Sequence, residues 1–173
     1  MQTKHKTLLI IWHSRTGASE QAAKAAAAAA EALIDELASM DDTPYQLLVK
    51  KAAEVSLAEL LSAHAYLFCA PENLASLSGQ MKEFFDHYYY PLLGQIEGRY
   101  YSAIIAAGTD GTAALKQLQR ICRGWRLNEA VPAIILNTAA ASQAQILAPK
   151  QLGVAQVAQA EEIGATLMAL IST

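Results

Sequence analysis

Short, unbroken apolar runs recur along the chain, separated by longer stretches in which apolar and polar residues mix at helical spacing. Thr7 to Trp12 is almost wholly isoleucine and leucine, which suits a strand buried on both faces. Glu20 to Ala38 lacks glycine and proline, is dominated by alanine and carries Ser19 where an N-cap belongs, so it predicts a helix. The tract Ala25 to Ala30 is low in complexity, yet alanine is the strongest helix former and its small side chain allows close packing on a sheet. Residues 40 to 44, "MDDTP", read as a turn, and Tyr45 to Val49 as a second strand with the polar ends of an edge strand. Leu57 to Leu61 predicts a short helix, and Ala65 to Ala70 a buried strand that stops at Pro71. "ENLASLSG" is then a loop, "QMKEFFDHYYY" a helix ended by Pro91, and "YYSAIIAAG" a strand stopping at Gly108. After the glycine-marked "TDGT", a helix is expected over Ala113 to Trp125 and a short strand over Ala133 to Leu136. A final helix is expected over Gln151 to Ile171, weakened at Gly153 and Gly164.

Five strands alternating with five helices imply parallel crossovers, hence an α/β doubly wound parallel sheet with helices on both faces. In such sheets ligands bind outside the carboxyl ends of the strands, near the switch in strand order. With 173 residues, no linker and no internal repeat, the chain reads as one domain over 1–173. Hydrophobic residues make up 53% and charged residues 17%, enough apolar surface for a full core without disulfide staples.

Charge narrows the partners. A net charge of -3 leaves no broad basic surface for a nucleic-acid backbone. The apolar stretch of "MQTKHKTLLIIW" is only about six residues, too short for a signal-peptide core or a membrane span, so a cytoplasmic protein without membrane insertion is expected. Cys69 and Cys122 are too few for a disulfide framework and, with His64 and His87, show no metal-ligand spacing. Cys69 reads as a packing residue at the end of a buried strand.

The chemistry concentrates in the loop His13 to Glu20. A phosphate dianion is held well by backbone N–H groups and hydroxyls at a helix N-terminus, where orphan amides point outward and the dipole favours negative charge. Ser14, Thr16 and Ser19 supply hydroxyls, and Gly17 lets the backbone turn tightly. The same residues also serve as turn formers and an N-cap, and that alternative stays open from the residues alone. Neither the Gly-Lys-Ser/Thr of a Walker loop nor a G-x-G-x-x-G fingerprint occurs here.

Ser14-Arg15-Thr16-Gly17-Ala18-Ser19 resembles the phosphate loop S/T-x-T-G-x-S/T of the flavodoxin-like flavoproteins. "PENLASLSGQMKEFFD", residues 71 to 86, is similar to the second flavin loop and following helix of the NAD(P)H-dependent FMN reductases and the quinone oxidoreductases related to Trp repressor-binding protein. The resemblance implies a five-stranded flavodoxin-like sheet of order 2-1-3-4-5. It implies an FMN phosphate held by Ser14, Arg15, Thr16, Gly17, Ala18 and Ser19, and an isoalloxazine ring bordered by residues 71 to 79, with Pro71, Glu72, Asn73, Leu74, Ser78 and Gly79. Gly108, Thr109, Asp110 and Gly111 would lie against the other side of the ring or the ribityl chain. The implied function is electron transfer from NAD(P)H through the flavin to a quinone or similar small-molecule acceptor. The alternatives are an electron carrier without NAD(P)H turnover and a flavin-free interaction domain of the same fold. The flavin supplies the chemistry, so no catalytic side chain is assigned.

Other features stand outside that pattern. "PENLASLSG" and "GTDGT" lack the aromatic residues that commonly sandwich the ring in flavodoxins. Glu72 and Asp110 suit turn capping, although carboxylates near a flavin would also lower its potential. Tyr88, Tyr89 and Tyr90 spread over different helix faces, leaving one for solvent, a neighbouring flavin or a homodimer or higher-oligomer contact. Arg120, Arg123 and Arg126 read as a solvated helix face and Trp125 as a core anchor.

Overall fold

The structure, a computed structural model, describes residues 5–40 and 42–173. Residues 1–4 of the N-terminal stretch and Asp41 of the expected turn lie outside the described residues. Strand β1 (Lys6–Trp12) leads into helix α1 (Ala18–Ala38), followed by β2 (Tyr45–Lys51), a 3-10 turn (Ala52–Glu54) and α2 (Leu57–Ser62). Then come β3 (Ala65–Asn73), the short β4 (Ser76–Leu77), α3 (Gly79–Leu92), β5 (Tyr100–Ala107) and α4 (Thr112–Gly124). Two short strands, β6 (Asn128–Glu129) and β7 (Ile134–Asn137), precede α5 (Gln143–Leu147) and α6 (Val154–Ser172).

The parallel sheet runs β2-β1-β3-β5, with β6 beside Tyr100 and Tyr101 of β5 and β7 beside Ile104 to Ala107. β6 and β7 are thus two pieces of one interrupted fifth strand, and with β4 set aside the order is the doubly wound 2-1-3-4-5. Both faces are covered, which is why β1 reads as one apolar run. Leu8 and Ile10 pack with α1 and α6, while Leu9 and Ile11 pack with the aromatic layer on the opposite face. That layer joins Phe68 to Phe84, Phe85 and Tyr101, and Phe85 to the buried Trp125, whose Nε1–H donates to the Tyr89 carbonyl.

The alanine tract has a steric purpose. Ala22, Ala23, Ala26 and Ala30 are fully buried, and α6 crosses them so closely that a Cβ on Gly164 would sit 2.7 Å from the Ala26 Cα and nearer still to its carbonyl. Gly164 is therefore a close-approach position inside an unbroken helix.

Several boundaries differ from expectation. β3 runs past Pro71 to Asn73, because the missing N–H matters little where the chain leaves the sheet to form a hairpin: Glu72 pairs with Leu77 and Asn73 with Ser76 of β4. "ENLASLSG" is that hairpin, with only Leu74 and Ala75 between its paired residues, both at positive φ. Pro91 lies inside α3, in its last turn, where few intrahelical donors remain to be lost. The last helix begins at Val154, not Gln151, because the preceding amides are committed elsewhere: Lys150 N–H donates to the Thr16 carbonyl and Leu152 N–H to Gln21 Oε1. α5 was not expected; a Ser142–Gln145 capping box starts it.

Candidate functional site

A cleft of about 310 Å³ opens beyond the carboxyl ends of β1, β3 and β5, where the chain has wound outward to β2 and crossed back to β3. Three loops meet there. Ser14, Arg15, Thr16, Ala18 and Ser19 come from the first, Pro71, Glu72, Asn73 and Leu74 from the second, and Gly108 and Thr109 from the third.

Gly17, in the left-handed region at φ 99°, stands at the N-cap of α1. Its N–H donates to Ser14 Oγ at 3.0 Å and its carbonyl accepts the first helical bond, from Gln21 N–H. Ser19 is consequently not the N-cap. It lies in the first helical turn, 1% exposed, with a buried Oγ that has no hydrogen-bond partner among the described residues. The first-turn amides of Ala18, Ser19 and Glu20 have no acceptor farther back in the helix, so donors and dipole converge on the cleft.

Five other expected site residues stand back from the lining. Gly17 shapes the loop from behind. Ser78 is fully buried and shares a 2.8 Å hydrogen bond with His13 Nδ1, tying the first loop to the second, and Gly79 opens α3. Asp110 is exposed and accepts from the Thr112 hydroxyl and N–H, which together hold its carboxyl below the usual range and engage it at the head of α4, outside the lining of the cleft. Gly111, at φ 85°, is turned toward Ala107 and Ile135, each within 3 Å of where a Cβ would stand. Glu72 lines the cleft, but its Oε1 accepts from Ala75 N–H at 2.6 Å and so braces the hairpin turn. Gln117 of α4 braces the same hairpin, accepting from Leu77 N–H (2.8 Å) and Ser76 Oγ (3.0 Å).

Sequence reasoning missed a fourth wall. Residues 138–152 cross from the third loop to the first: Ala140 N–H donates to the Gly108 carbonyl at 2.9 Å, and Lys150 N–H to the Thr16 carbonyl at 2.7 Å. Gln21 Nε2 donates to the Lys150 carbonyl at 2.6 Å and to the Gly17 carbonyl at 3.1 Å. Thr138, Ala140, Ile146, Leu147 and Lys150 of this strap line the cleft, as do Ala106 and Ala107 of β5. The Ser142-x-x-Gln145 pattern was the one local signal for it.

The titratable side chains nearby are engaged. Burial, with the Arg15 charge second, lowers the pKa of His13, and burial alone pushes the Cys69 thiol far up. No group of His, Cys, Asp and Glu among the described residues could hold a metal ion. No helix among them is long and apolar enough to cross a membrane.

A doubly wound parallel sheet with a hydroxyl-bearing loop and an open helix N-terminus at its switch point defines an α/β protein of flavodoxin type. The chain belongs to the NADPH-dependent FMN reductase family, whose model matches residues 8–143. Membership places it among flavin-binding oxidoreductases and electron-transfer proteins that act on small molecules. Among solved structures it is similar to a flavodoxin, WrbA-like protein from Agrobacterium tumefaciens (TM-score 0.71, 14% identity, 96% of this chain and 98% of that one). It is likewise similar to a flavodoxin from Streptococcus pneumonia TIGR4 (TM-score 0.70, 14% identity, 95% and 99%). Rubredoxin oxygen:oxidoreductase from Desulfovibrio gigas contains the same fold within a longer chain (TM-score 0.72, 11% identity, 98% and 37%). No protein of curated function matches the chain in sequence.

Proposed function

We propose that the cleft binds FMN and that the protein is an NAD(P)H-dependent reductase of a quinone or similar small acceptor. The observation that carries the reading is Ser19: of the two buried hydroxyls without a partner among the described residues, Ser19 and Ser102, it is the one whose residue lines the cleft, beside the open amides of α1, where a ligand would offset the cost of leaving it unpaired. A phosphate monoester fits that donor set, since it accepts from hydroxyls and amides and gains from the dipole without a lysine. Arg15, exposed on the same loop, adds a cation at the rim.

With the phosphate anchored there, the remaining volume lies between the hairpin at Pro71–Leu74 and the walls formed by Gly108, Thr109, Thr138 and Ala140. Bound FMN would accept hydride from a nicotinamide and pass electrons on, chemistry that needs no side-chain acid or base. The chain's part is to bind, orient and tune. The Glu72 carboxylate, held at the wall by Ala75 N–H, opposes negative charge accumulating beside it and so lowers the reduction potential of whatever ring occupies the cleft.

Titration of the FMN-free protein with FMN, followed by fluorescence anisotropy, tests the reading. Saturable binding is expected, with steady NADPH oxidation when benzoquinone is supplied. Binding without turnover would make the protein an electron carrier; no binding would leave a flavin-free interaction domain.

A further inference from the structure

Leu74, Ile146 and Leu147 are 101%, 52% and 58% exposed, yet all three line the cleft, Leu74 from the hairpin and the other two from the strap. Leu74 sits at the tip of the hairpin and Ile146 and Leu147 at the end of α5. Large aliphatics left exposed in the lining of a concave site mark a surface completed by an apolar ligand. Their supports are polar and specific. The turn that carries Leu74 places Leu74 and Ala75 at φ 52° and 58°, a conformation normally left to glycine or asparagine, and Glu72 and Gln117 hold it. Lys150 Nζ donates to the Gln145, Ile146 and Ala148 carbonyls, at 2.6, 3.1 and 2.6 Å, and thereby fixes the end of α5. The same Lys150 is hydrogen-bonded through its backbone to Thr16 in the phosphate loop, so the aliphatic wall and the anion cradle are parts of one structure. Among the described residues no aromatic side chain lines the cleft.

Resting on the FMN reading above, we infer that Leu74, Ile146 and Leu147 form an aliphatic clamp that holds the isoalloxazine ring in place of an aromatic sandwich. Leu74 lies within residues 8–143, the part matched by the family model, and Ile146 and Leu147 lie beyond it.

Two sets of variants test it. Leu74→Ser and the double change Ile146→Ser/Leu147→Ser should each weaken FMN about tenfold or more, the scale of unburying an aliphatic side chain. Because Leu74 is fully exposed without ligand, Leu74→Ser should leave the melting temperature of the FMN-free protein unchanged, and the double change at the half-exposed Ile146 and Leu147 should lower it by no more than a few degrees. Leu74→Trp and Leu147→Trp should quench the fluorescence of bound FMN several-fold, since an indole against the ring is an efficient electron-transfer quencher. If the unaltered protein binds FMN but the serine variants keep its affinity and the tryptophans leave its emission unchanged, the clamp is wrong while the FMN reading stands. If the unaltered protein binds no FMN, both fall.

Discussion

Replacing Ser19 by alanine should move stability and affinity in opposite directions. In the FMN-free protein the Ser19 hydroxyl is buried without a hydrogen-bond partner, a situation that costs about 1–3 kcal/mol. Removing the oxygen relieves that cost, and alanine is also the better helix former at this position, by a few tenths of a kcal/mol. For a chain of this length a gain of 1 kcal/mol raises the melting temperature by about 2–4 °C, so Ser19→Ala should melt roughly 2–12 °C higher. A hydroxyl donating to a charged phosphate is worth about 1.5–3 kcal/mol, so the same variant should bind FMN roughly 10- to 150-fold more weakly. Thermal unfolding of the FMN-free protein and an anisotropy titration measure the two effects on one sample. A lower melting temperature together with unchanged FMN affinity would mean that Ser19 is an ordinary structural hydroxyl and would refute the placement of the phosphate.

Gly164→Ala sets helix propensity, about 1 kcal/mol in its favour, against a Cβ driven into the Ala26 backbone; neither backbone can yield without separating α1 from α6. Steric cost wins, and calorimetry should show a melting temperature lower by several degrees. His13 has its pKa lowered in the fold, so its contribution to stability is complete above the ordinary histidine value of about 6.5 and is lost as pH falls through the lower folded value. Urea unfolding between about pH 5 and 8 should therefore show stability declining on the acid side, and His13→Asn should flatten that decline. Gln21→Leu removes both donations to the Lys150 and Gly17 carbonyls and leaves Leu152 N–H without its acceptor. Hydrogen exchange at Lys150 and Leu152 should accelerate about tenfold or more, with faster FMN dissociation.

What was legible in the sequence follows from how local each signal is. β1, β3 and β5 are buried on both faces by helices, so their apolar runs announce them without reference to any partner. The three loops of the cleft were legible for a related reason, since each follows one of those strands. The hairpin was not, because its turn uses Leu74 and Ala75 at positive φ where glycine or asparagine would have signalled it. α5 and the strap were hidden as well. They are held by bonds from Lys150 and Leu152 to Thr16 and Gln21, some 130 residues away, and no window of periodicity reaches that far. Ser19 illustrates a subtler limit: a serine beside a helix start looks the same whether it caps the helix or, two residues past the cap, is buried without a partner.

The chemistry of the cleft can be argued from what its side chains are already doing. His13 is spent on Ser78, Glu72 on the Ala75 amide, Asp110 on the head of α4, and the Lys150 side chain on the Gln145, Ile146 and Ala148 carbonyls at the end of α5. The Cys69 thiol is sealed in β3 with its pKa pushed far up by burial, which removes the thiolate that a nucleophile would need. Each of these bonds rigidifies a wall instead of leaving a proton donor or acceptor aimed into the space between the walls. A reaction whose electrons reside on a bound ring requires only that the ring be gripped at its phosphate, enclosed along its apolar length and left open to a second molecule. On the FMN reading proposed above, Ser19 and the amides of α1 would supply the grip, Leu74, Ile146 and Leu147 the apolar enclosure, and the mouth of the cleft the access.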